Sequence, residues 1–397
     1  MLTNRNILCI STPQWSSNYA STIVQLMTSL GRHNRVLYVQ NPYTVKDLIA
    51  AIIRRQKFPF KKVLGLSPRL TKHYHEGPGE IHVLIPPLTL SINFLPPGLF
   101  FHLLMRFNGW IVRRSVSKCI KVLNLQDDLI NIVSFNPLYG VVNGGRFQEK
   151  VLIYHCYDEI EQANWMKKHG PIYEKKMMRK ADAVVVTSQG LFEKKKPLSK
   201  ACFLVKNAAN IQLFETAFTR QVHTQKTVGY IGSLDNRIDV ALLFFLAESL
   251  PSIRFVFIGR VVDKKIEEQL CTLKNVVFLG SKPLTELPSY VQEFSAGIIP
   301  FVQNEFTRGI YPLKINEYLA AGTPVVSTNF GVLDDFSELI SIAQNQDEFR
   351  QLLVWEMEND TEDKKIKRQM AVKENNWENR AELLSEFIQT LEKAKCN

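Results

Sequence analysis

The stretch YPLKINEYLAAGTPVVST, Tyr311 to Thr328, decides how the chain is read. It predicts a helix of about three turns and then a buried strand. Pro312 suits the first turn of a helix, where its missing N–H costs nothing. Gly322 suits the left-handed residue that ends one. Thr323-Pro324 bars further helix, and Val325-Val326-Ser327-Thr328 is a short apolar run. Lys314 and Glu317 are three apart and share a face. Ile315 and Leu319, four apart, point elsewhere, toward the core. Two readings of the charged pair stay open: a solvated surface ion pair, or a ligand site at a helix N-terminus.

Outward from this stretch the second half alternates strands and helices. The strands are expected at Val228–Ile231, Arg254–Ile258, Val276–Leu279, Ala296–Pro300, Pro324–Ser327 and Leu339–Ala343, with helices such as Arg237–Leu250 and Leu284–Phe294 between them. Such alternation implies a parallel sheet covered on both faces. The first half repeats the pattern less regularly. Its strands are Asn6–Ser11, Val36–Gln40, His82–Ile85, Asn131–Phe135, Val151–Tyr154, Ala183–Thr187 and Cys202–Val205. Its helices are Ala20–Leu30, Phe100–Asn124 and Glu159–Lys180. A chain of 397 residues exceeds one ordinary core. The expectation is α/β: two Rossmann-like domains, residues 1–210 and 222–375, their parallel sheets facing a cleft. An amphipathic helix at 377–393 is expected to pack back on the first. Ligands of open parallel sheets bind beyond the carboxyl ends of the strands, so the cleft is the default site.

Charge is uneven. Residues 1–200 hold 28 Lys/Arg against 12 Asp/Glu, whereas residues 201–397 hold 21 against 26. A basic first half fits an anionic partner. No helix-turn-helix, zinc-finger or RNP-type motif is present, so no nucleic acid is expected. An anionic membrane leaflet or a lipid-linked substrate is the alternative. The six cysteines are scattered, without CxxC spacing, and read as reduced thiols. The N-terminus does not read as a signal peptide, and no run approaches the ~18 apolar residues of a membrane span. The expected location is the cytoplasm, with peripheral attachment to the inner face of the plasma membrane as an option.

Three strands of the second half end in glycine: Gly232-Ser233, Gly259-Arg260 and Gly280-Ser281. Glycine admits close approach of a ligand, and Arg237, placed where the next helix is expected to open, could help hold a diphosphate. An ordinary strand–helix loop would look the same. G-x-G-x-x-G and G-x-x-x-x-G-K-[ST] are absent, which argues against dinucleotide and P-loop sites; H-E-x-x-H and G-x-S-x-G are absent too.

Gly232-Ser233 with Arg237, Phe278-Leu279-Gly280 with Tyr290, Gly297-Ile298-Ile299-Pro300-Phe301, and Pro312-Leu313-Lys314 with Glu317 through Val326 together resemble the donor domain of GT-B glycosyltransferases. The resemblance is to glycosyltransferase family 4, the branch with teichuronic-acid-type cell-wall enzymes. It covers most of residues 226–345 and is thinner before them, at Tyr154–Glu159, Ala181–Ser188 and Val205-Lys206-Asn207. It implies that Glu317 binds the donor ribose and that Lys314 contacts phosphate, aided by the helix dipole. It implies that Arg237 neutralises the leaving diphosphate, and that Gly232, Ser233, Gly280, Ser281, Tyr290 and Leu313 shape the donor site. The family's first glutamate, eight residues before Glu317, is replaced by Gly309. Arg308 or Tyr311 could stand in for it. The donor sugar and the stereochemical outcome, expected to be retaining, stay open.

Asp158, after the strand Val151–Tyr154, is a candidate catalytic base or acceptor-orienting group. The alternative is a helix cap, with Glu159 and Glu161 in the first turn. His155 is read as a strand residue that could line the cleft. Lys167, Lys168, Lys175, Lys176, Arg179 and Lys180 form a basic run, either a solvated face or a contact for anionic lipid. The apolar segment Ile92–Met105 is read as core; if exposed, it would dip into a membrane interface. The resulting expectation is a sugar transfer from a UDP- or GDP-sugar to a lipid-linked or polysaccharide acceptor, with no metal and no cofactor. Its rivals are a nucleotide-sugar 2-epimerase of the same fold and a non-catalytic nucleotide-sugar binder.

Overall fold

The runs NILCIS, RVLYV, INIVS, VLIYHC and AVVV are continuously apolar or nearly so, rather than alternating. Strands of that kind are buried on both faces. In the computed structural model, which describes residues 1–16, 21–74, 77–162, 165–220 and 226–396, they form the centre of one parallel sheet. The chain divides into two units, residues 1–206 with 380–397, and residues 207–379.

The first unit contains β1 (Asn6–Ser11), β2 (Arg35–Val39), β3 (Leu70–His73), β4 (Glu80–Leu84), β5 (Ile130–Ser134), β6 (Val151–Cys156), β7 (Ala183–Val186) and β8 (Cys202–Leu204). Their order among the described residues is β3-β4-β2-β1-β5-β6-β7-β8. All neighbours pair parallel except β3 and β4. Strand β3 escapes the sequence because LTKH is a short, half-polar edge with no buried run. The expected helix Glu159–Lys180 is another difference: a 3-10 turn at Ile160–Gln162 precedes a helix that begins only at Gly170, with proline in its first turn. Lys167 and Lys168 therefore precede the helix that carries the other four cations. The last helix, Trp377–Cys396, packs on this unit. Phe387 stacks on Phe203 at 4.4 Å, Lys395 Nζ lies 2.6 Å from Asp182, and Glu392 pairs with Arg5.

The segment Ile92–Met105 is not simply core. Ile92, Phe101 and Met105 are buried, while Phe94, Leu99, Phe100 and Leu103 are exposed. A turn at 93–95 and the prolines at 96 and 97 precede the helix Leu99–Val122, which buries only one face.

The second unit contains β9 (Thr227–Ile231), β10 (Arg254–Ile258), β11 (Val276–Gly280), β12 (Ala296–Ile299), β13 (Val325–Thr328) and β14 (Ser341–Ala343). They run parallel in the order β11-β10-β9-β12-β13-β14. Counted within the unit this is 3-2-1-4-5-6, the Rossmann order, whose switch point lies between β9 and β12. The helix Leu313–Ala320 packs tightly there. A Cβ on Gly297 of β12 would lie 2.6 Å from the Tyr318 ring. That ring cannot swing freely, because its hydroxyl accepts the Ile231 N–H at 2.8 Å.

Gly297→Ala should therefore push the helix off the sheet and cost ~1–3 kcal/mol, the usual range for overpacking. Urea unfolding would show this as a lowered midpoint; an unchanged midpoint would mean that the ring yields instead.

Candidate functional site

Three neighbouring strands, β9, β10 and β11, end in glycine, and only the first of them borders the switch point. Gly232, Gly259 and Gly280 all have positive φ, at 139°, 155° and 68°. Gly232 N–H donates to the Ile258 carbonyl at 2.8 Å, and Gly259 N–H to the Gly280 carbonyl at 2.9 Å. A side chain would not fit at the first two. A Cβ on Gly259 would sit 1.9 Å from the Gly232 oxygen, and a Cβ on Gly232 would sit 2.2 Å from Lys314 Cε. The glycine at 232 exists to let the lysine lie across the strand end.

Lys314 belongs to the helix Leu313–Ala320, whose N-cap is Pro312, one place before the first turn expected for it. No side chain caps this terminus, so its first N–H groups are left to water or a ligand. The Lys314 ammonium stands 5.4 Å from the Tyr230 ring centre and 5.6 Å from that of Phe301. Burial, then repulsion by Arg237, pushes its pKa down to about 8. Burial pushes the Glu317 carboxyl up to about 7, against the pull of Lys314. Both side chains are half-buried. Neither makes a side-chain hydrogen bond or an ion pair within 4 Å among the described residues. The solvated surface pair is thus not what forms: two desolvated charges lie near one another without closing. Groups so shifted mark functional sites.

Arg237 does not open a helix. Asp239 caps the helix Val240–Ser249 through its side chain, leaving Arg237 in the loop after β9. Asp235 grips the guanidinium, accepting from Nε at 2.8 Å and from Nη2 at 2.6 Å. The guanidinium carbon also lies 5.7 Å from the Phe301 ring centre. The loop is tied to the end of β12 by Asp239 N–H to the Pro300 carbonyl and by Val302 N–H to the Arg237 carbonyl, both 2.8 Å. Tyr230, Asp235 and Phe301 were given no role from sequence. The i,i+2 spacing of Asp235 and Arg237 was the available signal, but such pairs are common in loops.

The other expected donor residues are dispersed. Ser233 is half-buried, its carbonyl accepting the Tyr230 hydroxyl at 3.2 Å. Leu313 is half-buried; Gly280 and Ser281 are exposed; Tyr290 is half-buried with Lys282 Nζ 5.7 Å from its ring centre. Tyr311 lies in the core against Phe336, ring centres 5.5 Å apart. Arg308 is exposed, 3.7 Å from Glu305.

In the first unit, Asp158 is half-buried, with Oδ1 accepting the Glu159 N–H at 2.9 Å. It heads a single 3-10 turn, not the longer helix expected. Glu159 and Glu174 are buried around Lys195, whose Nζ lies 3.4 Å and 2.8 Å from them. His155 is buried, bonded through Nδ1 to Ser134 Oγ at 2.9 Å, and burial holds its pKa down to about 4. It is a neutral sheet residue. Among the described residues no three His, Cys, Asp or Glu side chains gather as a metal site would require.

The second unit thus combines a Rossmann sheet with two cations and a raised carboxyl near its switch point. Residues 225–359 match the protein family described as Glycosyl transferases group 1. Over 105 residues the chain is 30% identical to TuaH of Bacillus subtilis (strain 168), named for teichuronic acid biosynthesis as a glycosyltransferase; the match spans 26% of each chain. Solved structures resemble the whole chain at low identity. Sucrose-phosphate synthase from Thermosynechococcus elongatus aligns over 98% of this chain and 100% of its own, with TM-score 0.67 and 15% identity. Trehalose 6-phosphate synthase from Burkholderia multivorans aligns over 99% and 100%, at 0.68 and 9%. Anabaena HepE in complex with UDP aligns over 97% and 100%, at 0.65 and 14%. The chain has the GT-B fold of these structures, and the family match lies within its second unit.

The charge layout fixes the sign of two substitutions. Arg237→Gln removes a repulsion and should raise the Lys314 pKa; Glu317→Gln removes an attraction and should lower it. NMR titration of 13C-labelled lysine reads both shifts directly, and no change in either variant would place these groups too far apart to interact.

Proposed function

We propose that the chain is a glycosyltransferase that moves a sugar from a UDP- or GDP-sugar to a lipid-linked or saccharide acceptor in cell-envelope or exopolysaccharide synthesis. The observation that carries this is the half-buried Lys314 and Glu317, unpaired, beside Arg237 at the switch point of the second sheet. A diphosphate would complete the coordination that the Lys314 ammonium lacks. The ribose hydroxyls would donate to Glu317, whose carboxylate accepts two vicinal O–H groups well. As the glycosidic bond breaks, negative charge grows on the leaving diphosphate. Lys314 is already desolvated and Arg237 is held in place by Asp235, so they would stabilise it with little reorganisation. Two such cations supply the counter-charge that a divalent metal would otherwise bring, and the reaction is proposed to run without one.

Asp158 is proposed to act on the acceptor hydroxyl, as base or as orienting group. A retaining outcome is the reading carried here, with Gly309 in place of the family's first glutamate. The UDP in the HepE structure and the teichuronic acid in the name of TuaH support the nucleotide and the pathway class. No helix among the described residues is long and apolar enough to cross a membrane; work at the inner face of the plasma membrane is proposed from the basic first half.

Four results test this. Glu317→Ala should raise the Kd for UDP about 5- to 150-fold, ~1–3 kcal/mol for lost charge-assisted bonds; an unchanged Kd would remove Glu317 from the site. Affinity for UDP-glucose, whose diphosphate does not titrate near neutrality, should peak between pH 7 and 8. Above about 8 the free Lys314 loses the proton that the diphosphate needs. Below about 7 the free Glu317 gains a proton that the ribose hydroxyls must displace. Lys314→Gln should abolish the alkaline fall only. Asp158→Asn should cut turnover and spare donor affinity; full activity would return Asp158 to its turn-capping role. Release of UDP only when acceptor is present fits a transferase, whereas epimerisation of the sugar without acceptor would favour the epimerase.

A further inference from the structure

The first unit carries two adjoining cavities. One, about 370 Å³, opens at the carboxyl ends of the strands. Asn41, Thr89 and Asn136, which follow β2, β4 and β5, line it together with His169 and Trp165. Asn136 donates to Asn41 at 3.2 Å, and Trp165 presents half its surface to solvent. Amides, a hydroxyl and an open aromatic face are the chemistry that holds a polyhydroxylated headgroup.

The other cavity is an apolar groove of about 800 Å³ between the helices Val45–Ile53 and Leu99–Val122. Ile49, Ile53, Phe94 and Phe100 line it, each more than half exposed. A monomer seldom leaves such a contiguous apolar surface bare unless something binds there. The two cavities share one wall: Lys46, Leu90, Ser91, Ile92 and Phe94 line both. That wall is held in place. Asn108 accepts the Leu90 N–H at 2.9 Å and donates to the Leu90 carbonyl at 3.0 Å, and Ser91 Oγ accepts the Lys46 N–H at 2.8 Å.

Charge is the second observation. Residues 45–122 hold 13 Lys/Arg against 3 Asp/Glu, so most of the chain's net +11 falls here. Lys46 stands on the shared wall, Arg54 lines the groove, and Lys168 donates to the Phe94 carbonyl at 2.7 Å. A polar cavity, an apolar groove leading from it and cations where they meet complement one kind of molecule: a headgroup, an anion and a hydrocarbon chain.

We infer that the two cavities form a single binding site for an amphipathic lipid, with its sugar in the polar cavity, its phosphate at Lys46 and its chain in the groove. Calling that lipid the acceptor rests on the transferase reading above; the binding site does not. The concave groove and its continuity with a strand-end cavity favour one seated chain over a flat membrane contact. The same residues explain why Ile92–Met105, so apolar in sequence, is left partly uncovered.

The test titrates the full chain with dodecyl phosphate below its micelle concentration, and measures UDP binding in the same samples. The expected result is one saturable site, weakened at least tenfold by Ile49→Asp, Ile53→Asp and Phe100→Asp, with the UDP Kd unchanged. All three positions are exposed, and matching thermal melts verify folding. Inorganic phosphate should not compete at equal concentration. Binding to vesicles of phosphatidylcholine and phosphatidylglycerol, without binding of monomeric dodecyl phosphate, would make the face a membrane contact and overturn the proposal. Equal binding by wild type and variants would overturn it as well. Loss of UDP binding alone, with the lipid site intact, would count against the transferase reading and in favour of an independent lipid site.

Discussion

The second unit is organised around a lysine lying across the end of a strand. Lys314 can lie there only because position 232 has no side chain, and Gly232 can adopt its backbone only because Gly259 leaves room for its carbonyl. The ammonium is then walled by Tyr230 and Phe301 and loses much of its hydration. A cation so held costs free energy unless an anion joins it. Glu317, one turn on, is near enough to interact but does not close on it. The site is therefore left with charge to satisfy, and Asp235 keeps Arg237 from filling the gap by collapsing elsewhere.

This arrangement sets binding beside packing. Tyr318 and Gly297 fasten the helix to the sheet, and Lys314, four residues before Tyr318, shares that face and reaches the end of β9, the strand to which Tyr318 is bonded. The packed ring holds the helix in place while the charged groups beside it carry unfavourable electrostatics. A nucleotide diphosphate would relieve that cost, whereas a simple anion would meet only the lysine and arginine and leave the carboxyl unanswered.

Much of this was legible in the sequence. The helix, the left-handed Gly322 and the strand at Val325–Thr328 follow from local chemistry, and the structure has all three. The six parallel strands of the second unit were readable because buried strands are continuous apolar runs. What failed was what depends on distant partners. Strand β3 is an edge that only pairing with β4 defines. Arg237 seemed to begin a helix because a competing cap, Asp239, lies two residues on. The helix expected from Glu159 waits for Gly170, since Glu159 is drawn instead into a buried ion cluster with Lys195. The packing of the Tyr311 ring against Phe336, 25 residues on, likewise had no local signal. The shifted charges at 314 and 317 could not be read at all, because both shifts come from burial in the folded unit, Lys314 lying against the rings of Tyr230 and Phe301.

A crystal structure of the chain soaked with UDP bears most directly on the central claim. The account expects the diphosphate within hydrogen-bonding distance of Lys314 Nζ, with the ribose hydroxyls on the Glu317 carboxylate. A nucleotide seated elsewhere, with the Lys314 ammonium and Glu317 carboxylate closed on one another, would contradict it.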